Sequence, residues 1–97
     1  GNISGTVLLD RERNSVALVV WNLPELSDEQ TYQIWLIEAN EDRVSGGLFR
    51  PQADLPYTTQ PVFAGQTISN FVGIGVTVEP AGGSEKPTGP RVFRVDF

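Results

Sequence analysis

Seven consecutive residues, Thr31-Tyr32-Gln33-Ile34-Trp35-Leu36-Ile37, limit what this chain can fold into more than any other stretch. β-Branched and aromatic side chains fit a pleated strand better than a helix, where branching at Cβ restricts χ1. Side chains alternate across a strand, so Tyr32, Ile34 and Leu36 share one face, with Trp35 and Ile37 on the other. Bulky apolar groups on both faces require cover on both, which predicts a central strand. The run is the hub of a fold and not a centre of chemistry.

The flanking sequence supplies its partners. Ile3, Val7 and Leu9 alternate with more polar positions and predict a first strand. A charged turn, Asp10 to Asn14, leads into a second strand from Ser15 to Trp21, and the short link predicts a hairpin. Its apolar residues at both parities predict another interior strand. Leu23-Pro24 stops this strand, and Ser27-Asp28-Glu29-Gln30 suits one helical turn capped by Ser27. Beyond the central run, Asn40 to Arg43 forms a turn and Val44 to Arg50 a short strand weakened by Gly46-Gly47. Pro51 to Pro61 reads as a loop, with a strand emerging at Val62-Phe63-Ala64.

Asn70 to Glu79 alternates clearly, with Val72, Ile74, Val76 and Val78 on one face and Gly73, Gly75 and Thr77 on the other. Two glycines on one face leave a trough that accepts an aromatic ring, that of Trp35 or Trp21. Pro80 to Pro90 is a Gly/Pro loop, and Arg91 to Phe97 a last strand with Phe93, Val95 and Phe97 inward. About seven short strands at this spacing predict an all-β fold, a two-sheet antiparallel β-sandwich of Ig-like type. A chain of 97 residues holds one core, so residues 1–97 are expected to be a single domain. It contains no Met, which marks it as an expected fragment of a longer protein.

Inventory narrows the chemistry. The chain has no His and no Cys, which removes thiol nucleophiles, disulfides, imidazole or thiolate metal sites and His-based triads. A net charge of -5 with scattered bases argues against nucleic-acid binding. The longest apolar run, Val16 to Trp21, falls far short of the ~20 residues that span a bilayer.

Four features remain as candidates. The acidic pairs Asp10/Glu12, Asp28/Glu29 and Glu41/Asp42 lie in turns, where carboxylates are solvated and cap amides rather than face each other across a cleft. Asn40, Glu41 and Asp42 offer oxygen ligands but lack the alternating spacing that converges on calcium. Trp21, Trp35, Tyr32 and Tyr57 are the aromatics of a conceivable sugar platform, yet the strand context places both tryptophans in the core and leaves Tyr57 free in its loop. Ala81-Gly82-Gly83-Ser84 runs into prolines instead of opening a helix, so it does not cradle phosphate, and Ser84 and Thr88 have no general base beside them except Lys86 in the same loop. The sum is a protein without catalytic residues, cofactor or metal. Six acids precede the first base at Arg43 within residues 25–43, and a solvated face accounts for them.

Two stretches carry a resemblance. Leu23-Pro24, Thr31 to Ile37, and Gly46-Gly47 with Phe49 resemble the middle of the anti-sigma-K factor C-terminal domain. Thr77-Val78-Glu79-Pro80-Ala81-Gly82-Gly83-Ser84, closing on Pro87-Thr88-Gly89-Pro90, resembles its end. The resemblance runs from Gly5 to Pro90, and the Pro51–Pro61 loop contributes no recognisable motif to it. Its structural signature is Tyr32, Trp35, Glu79, Pro80, Gly82, Gly83, Pro87, Gly89 and Pro90. It implies the extracytoplasmic part of a single-pass bacterial membrane protein, tethered to the plasma membrane. A cytoplasmic N-terminal segment, absent here, would hold an extracytoplasmic-function sigma factor as partner, and regulated proteolysis would free it. A protease or an envelope ligand is the further partner implied, and the membrane is met only through an absent transmembrane helix. The alternatives are a secreted carbohydrate- or cell-wall-binding module and an Ig-like spacer.

Glu79 stands at the end of an alternating strand on its glycine face. There it is placed to accept N–H groups of Gly82, Gly83 or Ser84 and so pin the loop.

Overall fold

The computed structural model describes residues 2–52 and 54–97. Seven strands run β1 Ser4–Asp10, β2 Ser15–Trp21, β3 Gln30–Glu38, β4 Arg43–Phe49, β5 Tyr57–Val62, β6 Phe71–Pro80 and β7 Arg91–Asp96, with a short 3-10 turn at Ile68–Asn70. They form two antiparallel sheets, ordered β1-β2-β5 and β4-β3-β6-β7. The all-β sandwich read from the sequence is the architecture observed.

β3 lies inside the larger sheet, as its two-faced apolarity requires. Tyr32, Ile34 and Leu36 enter the core between the sheets with Val16, Leu18, Val20, Phe49, Val62, Ile68, Phe71, Ile74 and Val76. Each fully buried aliphatic or aromatic side chain contributes about 1.5–3 kcal/mol by leaving water. Tyr32 also ties down the incoming chain, donating its hydroxyl to the Pro24 carbonyl at 2.6 Å while its ring packs 5.6 Å from Phe49. Burial pushes the Tyr32 hydroxyl up, opposed by nearby Arg50, so it remains a donor. Tyr32→Phe is therefore expected to cost about 1 kcal/mol, measured by urea unfolding.

Both open sides of the sandwich are closed at glycines, one by a backbone hydrogen bond and one by an aromatic ring. At one seam Phe63 N–H donates to Gly46 O at 2.9 Å, where β4 bulges against β3 between Ile34 and Trp35. At the other, the Phe93 ring of β7 packs onto Gly5 of β1, where a Cβ would lie 2.9 Å from the ring. A second irregularity, between Ile37 and Glu38, turns Phe71 into the core and leaves Val72 outside.

The structure corrects several expectations. β5 begins at Tyr57, five residues earlier than Val62, and contains Pro61. That proline is tolerated because β5 is an edge strand whose neighbour is β2 alone. Residues 27–30 make a simple turn closed by Gln30 N–H on Ser27 O, not a helical turn. β2 has neighbours on both sides, but only one of its faces is fully covered. Trp21 consequently is not core: it is 42% exposed on the outer face of the small sheet, its ring centroid 5.0 Å from that of Tyr57. Phe97 follows the last strand pair and lies 36% exposed, whereas Phe93 packs against the core.

Candidate functional site

Among the described residues no second sheet lies above the opposite face of β3 and β6, yet Thr31, Gln33, Trp35 and Ile37 on β3 and Gly73, Gly75, Thr77 and Glu79 on β6 are all buried. The cover comes in part from residues 81–90, which fold back over the sheet. A turn starts the reversal. Gly83 N–H donates to Pro80 O at 2.9 Å, and Gly82 takes the positive φ (93°) that its second central position demands. Gly83, also at positive φ (83°), passes so near the sheet that an added Cβ would sit 2.9 Å from Leu48 Cδ2. The Val78 N–H donates to Pro90 O at 3.1 Å at the far end of the loop. Gly89 is tightest of all: a Cβ there would fall 1.7 Å from the Val78 carbonyl oxygen.

Two polar side chains of the sheet hold the loop. Gln33 accepts the Ser84 N–H at 2.9 Å and donates to Ser84 O at 3.0 Å and Ser45 Oγ at 2.9 Å. Glu79, only 1% exposed, accepts hydroxyls from Thr77 (2.5 Å), Ser84 (2.8 Å) and Thr88 (2.6 Å). It also accepts the N–H groups of Thr88 (3.1 and 3.2 Å) and Gly89 (3.2 Å). Trp35 Nε1–H donates to Thr77 Oγ1 at 2.8 Å, so a chain of donors runs from the indole through Thr77 to the carboxylate. Burial alone would raise the Glu79 pKa. The Thr77, Thr88 and Ser84 hydroxyls and the Gly89 N–H overcome it and hold the group at about 2.

The structure thus places Trp35, Glu79, Gly83, Pro87, Gly89 and Pro90 in or beside one assembly, with Pro80 and Gly82 at its turn. Tyr32 lies apart, on the core face. Glu79 does meet the loop, but through Ser84 Oγ, Thr88 and Gly89; the N–H of Gly83 goes to Pro80 and that of Ser84 to Gln33. Gln33 and Thr77 are members that strand parity alone reveals, since each shares a face with Trp35 or Glu79 in the paired strands. A carboxylate with this pKa and this many donors is a poor base, so the arrangement holds a loop rather than activating a hydroxyl.

Asp10, Glu41 and Asp42 are also tied into local structure. Asp10 accepts the Arg13 N–H at 3.1 Å and its guanidinium at 2.9 Å, and those contacts hold its carboxyl below the usual range. Glu41 takes both arms of Arg94 at 2.7 and 3.0 Å, and Asn40 caps the N–H of Asp42. Among the described residues no three Asp or Glu side chains converge on a point where a metal would sit.

Comparison with known proteins decides the family. The model of the anti-sigma-K factor RskA C-terminal family matches residues 1–91, from the N-terminus through the pinned loop and into β7. The chain belongs to that family. The anti-sigma-K factor RskA of Mycobacterium ulcerans is 36% identical over 89 residues, 92% of this chain and 37% of its own length. That of Mycolicibacterium vanbaalenii is 36% identical over 90 residues, 93% of this chain and 36% of the relative. An uncharacterised protein of Streptomyces griseus is 31% identical over 97 residues, 39% of its length. The chain therefore spans little more than a third of these relatives. No solved structure matches it. Anti-sigma factors are regulators, and among the described residues no helix is long and apolar enough to cross a membrane.

Proposed function

We propose that this domain is the extracytoplasmic sensory part of a membrane-anchored anti-sigma factor and is not an enzyme. A cytoplasmic segment outside this chain holds an extracytoplasmic-function sigma factor, and regulated proteolysis releases it when the outer domain yields. The observation that carries the reading is the family match over residues 1–91. The geometry is consistent with a gate of this kind. β3 and β6 are covered on both faces, so a protease finds little extended backbone until the loop over Glu79 lets go.

The test uses the full-length protein with a transcriptional reporter for its sigma factor. Removing residues 2–97, or introducing Glu79→Ala, is expected to change sigma-dependent transcription only in cells that retain the membrane protease. Residues 1–97 have no Cys, so with any cysteine elsewhere in the full-length protein replaced, one placed at exposed Ser69 reports location: a membrane-impermeant maleimide is expected to label it in intact cells. An unchanged reporter and labelling only after lysis contradict the proposal.

One observation favours a second reading, a secreted carbohydrate- or cell-wall-binding module. The outer face of the small sheet carries Trp21 beside Tyr57, and by register its side chains (Ser4, Thr6, Leu8, Ala17, Val19, Trp21, Tyr57, Thr59 and Pro61) are uncharged up to Asp10 and Ser15 at the hairpin end. Retention of the domain on insoluble cell-wall glycan, lost in Trp21→Ala, would support that module instead.

A further inference from the structure

A second surface feature lies on the outer face of the large sheet, beside the pinned loop. Trp35, Ile37 and Gly75 line the bottom of a groove of about 570 Å³, and Arg43, Lys86 and Arg91 stand around it. The size falls within the ~300–1,000 Å³ of ordinary small-molecule sites, and an apolar lining with a few convergent polar groups is their usual composition. Gly75 lies at its base, where the Arg91 stem and Ile37 Cδ1 are 3.9 and 3.8 Å from the position a Cβ would take. Loop residues Pro87 and Gly89 form one wall, held in place by the Glu79 bonds, so the site is preformed.

The charge distribution is unexpected for this chain. Its net charge is -5 and it has seven bases, yet three of them gather at this groove, with Arg94 on the adjacent strand. Arg94 is spent on Glu41 and Asp96, and Arg43 leans on Glu41 at 3.8 Å and on its carbonyl. Among the described residues neither Lys86 nor Arg91 has a carboxylate within ion-pair distance. Glu41, at the neighbouring end with Glu38 and Asp42, has its carboxyl lowered chiefly by Arg94 and further by the fields of Arg43 and Arg91. The cations thus act on this region together.

We propose that this groove binds a small organic anion, laying an apolar body against Pro87 and the Arg91 stem, above the buried Trp35 and Ile37, with a carboxylate or phosphate head between Lys86 and Arg91. Charge complementarity selects the anion, and the apolar lining selects against free inorganic ions. The inference is independent of where the domain sits and of what it regulates.

The experiment titrates the ¹⁵N-labelled 97-residue chain with 2-naphthoate, 2-naphthyl phosphate and neutral 2-naphthamide at low ionic strength, following amide and indole resonances. Trp35 Nε1–H and the Gly75 and Gly89 amides are expected to shift with one or both anions, and which anion acts identifies the head group. The Trp21 indole, on the other sheet, is the internal control and is expected to stay still. Added salt is expected to weaken binding, since exposed cations are screened within a Debye length. The exposed pair Lys86→Gln/Arg91→Gln is expected to weaken it about tenfold with the rest of the spectrum unchanged. Equal binding of the neutral amide, shifts centred on Trp21, or no shift with either anion would overturn the proposal.

Discussion

Glu79→Ala is expected to destabilise the domain by about 3 kcal/mol at pH 7, a large effect for a residue that carries no core packing. The substitution strips three hydroxyls and two backbone N–H groups of their shared acceptor. Glu79→Gln keeps the shape, and its amide presents one acceptor and one donor group to partners that include adaptable hydroxyls, so about 1–2 kcal/mol is expected. The pair of variants also fixes a pH signature. The folded carboxyl has a pKa of about 2, against an ordinary value of 4.5. As pH falls, the unfolded chain takes up this proton first, which favours unfolding. The stabilisation from Glu79 is complete above about pH 5 and is lost progressively down to pH 2, a difference of about 3 kcal/mol. Chemical denaturation at a series of pH values is expected to show this slope in the wild type and a correspondingly smaller one in Glu79→Gln. Parallel curves for the two proteins would exclude the depressed pKa.

Trp35→Ala is the second large effect, expected at about 3–5 kcal/mol by urea unfolding. The indole is 1% exposed, lies between the sheet and its covering loop, and fills space beside Gly75 in the register of β3 and β6. Truncation leaves a cavity and removes the donor to Thr77, which in turn donates to Glu79. The loop should feel the change, so the amides of Thr88 and Gly89 are expected to shift more than those of β1. Trp21→Ala offers the contrast: its ring is 42% exposed, and a cost below about 1 kcal/mol is expected.

The two tryptophans also mark how far the sequence could be read. Trp35 sits in a run that is apolar at both parities, and such a run is covered on both faces wherever it lies; its burial was legible. Trp21 ends a strand whose apolar residues also occur at both parities, but among the described residues its sheet has three strands and its outer face leaves the ring 42% exposed. Local pattern reports what a side chain tolerates, and tertiary cover decides what it receives. Pro61 shows the same limit. A proline argues against a strand until the topology makes that strand an edge.

The pinned loop was partly legible for similar reasons. Glu79 at the end of a strand, on a face shared with glycines, pointed to a carboxylate facing the following loop. The partners could not be assigned by proximity in sequence, because the first donors in the chain, Gly82 and Gly83, are used in making the turn or left at its tip. Thr88 and Gly89 arrive nine and ten residues later, at a point set by the path of the chain over Gln33 and Trp35. The cationic groove needed three dimensions outright. Arg43, Lys86 and Arg91 come from β4, the loop and β7, and no spacing in the sequence joins them.

The central claim is that residues 81–90 form a fixed layer over β3 and β6, held by a buried carboxylate. Native-state hydrogen exchange at the Thr88 and Gly89 amides tests it most directly, because both donate to Glu79. The account predicts protection approaching that of Val76 and Val78 in β6, and its collapse in Glu79→Ala while β2 remains protected. Exchange of Thr88 and Gly89 at free-peptide rates in the wild type, with β6 still protected, would contradict it.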